Sequence, residues 1–140
     1  MIKTKETEVA TIQLIEGQIV KITFKNRVDL TPEHTLMLRQ IALDWTQGRG
    51  YCTFIVPGEF VTYSSEIKDV MAKHEHSKDR IAVAVYQSNL AIKLIVDLFW
   101  NITKKKDPTR MFRNENDALQ WLRKCRDQHN TSNQHQKLRS

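Results

Sequence analysis

The sequence predicts an α/β fold: a mixed, mainly parallel sheet with an N-terminal antiparallel hairpin, in the element order ββαβαβαβα. Three observations carry this. The runs "VATIQLI" and "QIVKITFK" flank Glu16-Gly17, a short turn signal between two strand-formers. Strand-like and helix-like runs then alternate, which favours parallel strands joined by right-handed crossovers. Finally, "RIAVAVYQ" has an unbroken apolar core from Ile81 to Val85, the pattern of a strand covered on both faces.

Each element follows in turn. In the second strand Val20, Ile22 and Phe24 alternate with Lys21, Thr23 and Lys25, so one face is expected to be wet. "LTPEHTLMLRQIALDW" carries a helix start, with Thr31 as cap, Pro32 in the first turn and Glu33 beside the positive helix end. Leu38, Ile41, Ala42 and Trp45 form its buried stripe, and "GRG" at 48–50 ends it. "YCTFIVPG" is a strand closed by Pro57-Gly58. Ser64 then caps a helix whose apolar spacing is Ile67, Val70, Met71 and His74. Ser88 or Asn89 opens the next helix. "PTRMF" is a short last strand before a final helix, which Asn114 and Asp117 cap and which Ala118, Trp121, Leu122 and Cys125 stripe.

These elements form one domain over residues 1–125. Residues 126–140, beginning "RDQHNTSNQHQKLRS", are almost free of hydrophobes and are expected to be a disordered tail, because they bury too little to offset ordering entropy. The net charge of +6 is unevenly placed: residues 101–113 carry +4 and 123–140 another +4. Such clusters attract acidic partners or anionic surfaces, and equally serve solubility. Cys52 and Cys125 lie far apart without metal-type spacing, for which a reduced cytoplasmic chain is the simplest reading and a single disulfide the alternative. The longest apolar run, "LAIKLIVDLFWNI", is too short and too charged to span a bilayer, and no signal-peptide core is visible.

The stretch from "YCTFIVPGEFVTYSSEIKDVMA" through "DRIAVAVYQSNLAIKLIVDLFW" to "PTRMFRNENDALQWL" resembles the small bacterial SpoIIAA-like proteins of the STAS superfamily. Ser88, Ala91, Pro108, Arg110, Phe112, Glu115, Ala118, Trp121 and Leu122 carry the likeness, over about residues 8–124. It implies a cytosolic STAS-type domain, often dimeric and without enzymatic activity. In the anti-sigma-factor antagonists of that superfamily, a serine at the start of the second helix is phosphorylated and thereby releases the partner. Ser64 and Ser65 occupy the matching place as candidate phosphorylation or anion-binding residues. Here, however, Tyr63 stands for the usual aspartate and Glu66 for the usual glycine. A carboxylate in the first turn competes with a phosphate, so the residues favour a cap with Glu66 complementing the helix dipole.

Between Leu90 and Ile102 only Lys93, Asp97 and Asn101 interrupt the apolar residues, leaving more apolar surface than a sheet-covering helix needs. Leu94, Ile95, Leu98, Phe99 and Trp100 are therefore the candidate interface, with Phe99 and Trp100 as anchors. Lys104, Lys105, Lys106 and Arg110 form a candidate basic contact patch for an acidic partner or an anionic membrane surface. "HEH" at 74–76 lacks an obvious third ligand, so no metal is expected. No G-x-G-x-x-G, P-loop or G-x-S-x-G occurs, so neither catalytic residues nor a cofactor is implied. No basic–aromatic interleaving points to nucleic acid. The sequence thus reads as a non-enzymatic regulatory or protein-interaction module, homodimeric, cytoplasmic, with a regulatory protein partner and peripheral membrane contact as further expectations. The competing reading is a carrier of lipid or a small hydrophobic ligand on the apolar run 90–102, by analogy with Sec14-type folds.

Overall fold

A computed structural model describes residues 3–63, 66, 80–86 and 108–139. Its strands are β1 (Lys3–Glu6), β2 (Ala10–Glu16), β3 (Ile19–Phe24), β4 (Asp29–Leu30), β5 (Tyr51–Val56), β6 (Thr62–Tyr63), β7 (Arg80–Tyr86) and β8 (Thr109–Phe112). Its helices are α1 (Pro32–Thr46) and α2 (Glu115–Arg139). Six strands form one sheet in the order β1-β2-β3-β5-β7-β8, and β4 with β6 makes a two-stranded sheet beside it. β1, β2 and β3 are antiparallel, and β3, β5, β7 and β8 are parallel. This is the predicted mixed α/β architecture. The helices expected after Ser64 and after Ser88 lie outside the described residues.

The two-residue alternation of the strands sends side chains to two separate cores. On one face Val20, Ile55, Val83 and Val85 meet Leu38, Ile41 and Ala42 of α1. On the other, Ile19, Cys52, Phe54, Ala82 and Ala84 meet Ala118, Leu119 and Leu122 of α2. The small side chains of Ala82, Ala84 and Ala118 let α2 settle closely on β7, and Phe54 fills the remaining depth without exposure. Burial on both faces makes Ala82 to Val85 a central strand, as its apolar run predicts.

Helix α1 starts as expected. The Thr31 hydroxyl accepts the His34 N–H at 3.4 Å, while His34 Nδ1 accepts the Thr31 N–H at 3.1 Å. That fixes the imidazole proton on Nε2, which donates to Glu8 at 3.0 Å. The helix ends at Gln47, left-handed at φ 54°, followed by Gly48 at φ 72°.

Four expectations need correction. The antiparallel region has a third strand, β1, whose residues are all exposed and charged or hydroxylic, so no apolar period marks it. It is held by its ladder to β2 and by a bond from Thr11 Oγ1 to Glu6 Oε1 at 2.5 Å. The supposedly wet face of β3 is covered in part: Lys21 lies 5.9 Å from the Phe54 ring centroid and pairs with Glu115 at 2.5 Å, while Lys25 on the same face stays exposed. The hairpin turn centres on Gly17-Gln18, and its left-handed residue is Gln18 (φ 67°) rather than the glycine. Finally, the expected disordered tail is helical through Arg139, because side chains from its first turns are tied to the β2–β3 turn.

Candidate functional site

Of the residues singled out in the sequence, Ser64, Ser65, Leu94, Ile95, Leu98, Phe99, Trp100, Lys104, Lys105 and Lys106 lie outside the described residues. Arg110 is described, and Glu66 is helical and exposed. The described segment leading to Ser64 forms a platform at the carboxyl ends of β3 and β5, the end of a parallel sheet where α/β proteins place their sites.

Two loops are stitched together there. Asn26 Oδ1 accepts the Glu59 N–H at 2.8 Å, and the Arg27 N–H donates to the Glu59 carbonyl at 2.8 Å. The Thr62 N–H donates to the Val28 carbonyl at 2.9 Å, and the Thr62 hydroxyl donates to the Asp29 carboxylate. β4 and β6 add a parallel pairing, Asp29 with Thr62 and Leu30 with Tyr63. Gly58 is required because a Cβ there would collide with the Lys25 carbonyl. Leu30 and Val61 anchor the platform in the core, at 1% and 0% exposure.

On this braced base sits Phe60, 62% exposed and left-handed at φ 56°. A left-handed backbone disfavours a bulky L-residue by about 1–2 kcal/mol. Arg27, left-handed at φ 58°, holds its guanidinium carbon 5.9 Å from the Phe60 ring centroid. An aromatic ring is thus presented to water, with a cation at its face, at a conformational cost the surrounding hydrogen bonds offset. Neither residue carries a sequence signal for this, since "NR" and "GEF" contain nothing that specifies φ > 0 outside glycine.

At the far edge of the sheet, Arg110 lies over an aromatic pair. Its guanidinium carbon is 5.4 Å from the Phe112 centroid and 5.7 Å from Trp121, whose rings are 5.5 Å apart. Behind it are the two thiols. Burial pushes the Cys52 thiol up to about 12, and its Sγ lies 3.6 Å from the Leu122 carbonyl. Burial also raises Cys125, against the opposing charges of Lys124 and Arg110. Neither is primed as a nucleophile, because the thiolate is disfavoured at both. Among the described residues no group of three or more His, Cys, Asp or Glu side chains is arranged to hold a metal ion. No helix among them is long and apolar enough to cross a membrane.

The third polar region is the clasp that holds α2. Glu16 receives Arg123 Nε at 2.7 Å and Arg126 Nη1 at 2.9 Å, and Arg126 also donates to the Gly17 carbonyl at 3.1 Å. Burial acts to raise the Glu16 carboxyl, but hydrogen bonds and charge from Arg126 and Arg123 outweigh it and hold its pKa below the ordinary value. Gln18, buried, donates to the Arg49 carbonyl at 3.0 Å, and its Oε1 accepts Asn130 Nδ2 at 2.9 Å.

With this geometry in view, the likenesses fall into place. The fold is that of a SpoIIAA-like protein: an uncharacterized member of the DUF3478 family from Shewanella loihica PV-4 superposes with a TM-score of 0.51. That likeness has 17% sequence identity and covers 87% of this chain and 92% of the other. Residues 13–126 match the family described as Domain of unknown function (DUF7793), and the chain belongs to that family. No curated protein matches it.

Proposed function

We propose that this chain is a non-enzymatic regulatory module of STAS type, which acts by binding a protein partner through the platform at the carboxyl ends of β3 and β5. The observation that carries the reading is Phe60, solvent-exposed and left-handed on a hydrogen-bonded base. An exposed, conformationally costly aromatic contributes little to its own fold, and fixed aromatics are the residues that dominate protein interfaces. The platform runs directly into Ser64 and Ser65, so a phosphate there would meet the same partner surface, with Glu66 opposing it. The module works in the cytoplasm and as a homodimer, the apolar run 90–102 supplying the self-contact.

Affinity capture from the native host, coupled to chemical cross-linking, tests this. Wild type should retain a stoichiometric protein cross-linked within residues 26–29 and 58–63. Phe60→Gly should lose it with the fold intact, and aspartate at Ser64 and Ser65 should weaken it relative to alanine. Equal capture by Phe60→Gly, or cross-links confined to other surfaces, would reject the platform. A monomer by light scattering at tens of micromolar would reject the homodimer.

A further inference from the structure

The strand β8 closes the parallel side of the sheet, and among the described residues no further strand pairs with it. The Val83 N–H donates to the Pro108 carbonyl at 2.9 Å, and the register sets Val83 beside Thr109 and Val85 beside Met111. Alternate residues of a parallel strand address opposite neighbours. Arg110 and Phe112 therefore bond toward β7, whereas the Met111 N–H and carbonyl point outward. The Met111 side chain, 40% exposed, lies on the sheet face opposite the Arg110–Phe112–Trp121 cluster. Arg113 and Lys124 are exposed near that cluster. Among the described residues no carboxylate pairs with Arg110, Arg113 or Lys124.

We propose that β8 accepts an acidic, extended peptide segment as an added strand, its backbone pairing at Met111 and its carboxylates meeting Arg110, Arg113 and Lys124. Charge decides the occupant. A cationic edge repels a second copy of itself, the usual defence of edge strands, while an acidic strand turns that repulsion into attraction. The opposite edge, β1, is an exposed strand whose Glu6 already pairs with Lys25 and would itself repel an acidic segment, and it offers no aromatic shelf. Nucleic acid or an anionic membrane would use the cations but leave the Met111 amide unpaired. The inference rests on reading the chain as a protein-binding module, but not on the Phe60 platform.

The test titrates the full chain with a capped peptide of alternating Glu and Val, its Lys-for-Glu counterpart, and a Glu-Val peptide N-methylated at alternate amides. Calorimetry and amide chemical-shift mapping are the readouts. The Glu-Val peptide should bind, with shifts centred on residues 109–113. Arg110→Ala and Lys124→Ala should each weaken it about five- to tenfold, in the range of one charge-assisted contact. N-methylation should abolish binding, as should Met111→Pro, which removes only the outward N–H at an edge that tolerates proline. Equal binding of the Lys peptide, equal binding of the N-methylated peptide, shifts away from β8, or displacement by phosphatidylserine vesicles would each overturn the proposal. Phe60→Gly should leave peptide binding unchanged. A failed peptide titration with intact, Phe60-dependent partner capture therefore rejects the edge alone, and the converse rejects the platform alone.

Discussion

Replacing Glu16 with Gln should loosen the second half of α2 without dissolving the domain. The apolar anchors of this helix end at Cys125, and beyond it the described contacts are polar. The Glu16 carboxylate binds Arg123, whose side chain is 43% exposed, and Arg126, which is 17% exposed. An exposed pair of this kind contributes about 0.5 kcal/mol and the more buried one about 1 kcal/mol. Opening residues 126–139 breaks only the Arg126 contact, so the substitution should lower that free energy by about 1 kcal/mol, about fivefold in amide exchange rate, while global unfolding loses both contacts, roughly 1.5 kcal/mol. The melting temperature should fall by about 5 °C for a domain of this size. The sign with pH follows from the depressed Glu16 carboxyl. Its contribution is full above the ordinary carboxylate range and is lost as pH falls through the lowered folded-state pKa. Wild type and Glu16→Gln should thus differ at neutral pH and converge in acid. Hydrogen exchange followed by mass spectrometry reads the effect directly. Unchanged exchange over 126–139, or a difference that grows in acid, would refute the clasp.

Further outcomes follow from other contacts. In native protein at pH 8, iodoacetamide should leave Cys52 unmodified and label Cys125 more slowly than a free thiol, and both should react once unfolded; rapid native labelling of Cys52 would contradict its burial. Gly58→Ala should destabilise by about 2 kcal/mol or more, because the new methyl meets backbone rather than a movable side chain; an unchanged thermal midpoint would show that the β5–β6 loop gives way. Phe60→Gly should leave stability unchanged or raise it by up to about 1 kcal/mol, since it relieves a left-handed residue at the expense of one exposed cation–π contact; a clear loss in denaturant melts would make Phe60 a structural residue. Leu122→Ala should cost about 2–5 kcal/mol, as a fully buried anchor of α2.

How far the fold was legible depended on whether a period survived in the residues. Helix α1 could be read because its cap, proline and stripe all point the same way, and the structure returns Leu38, Ile41 and Ala42 buried with Trp45 partly so. β7 was equally plain, its apolar run being longer than any one-sided strand needs. β1 was invisible because an edge strand with both faces wet has no hydrophobic alternation to display. Lys21 misled for a related reason: a lysine stem can lie under a helix while its ammonium finds a carboxylate, so its place in the alternation does not mean solvent. The tail misled because composition measures apolar burial, whereas Arg126 and Asn130 are held by partners more than one hundred residues earlier in the chain.

The platform was harder still, for a reason that bears on its role. Backbone strain in a glycine announces itself in the sequence, and Gly48 and Gly50 do so at the end of α1. Strain in Arg27 and Phe60 does not, because those residues do not themselves prefer the conformation that the surrounding contacts impose on them. Such positions are expected where local consistency has been given up for something else. A glycine at position 60 would satisfy the turn with less strain and a smaller exposed apolar surface. That a phenylalanine stands there, over Arg27 and a few residues before the serine pair, is the feature the fold alone does not require. An exposed ring on a rigid base is what the proposed partner contact would use.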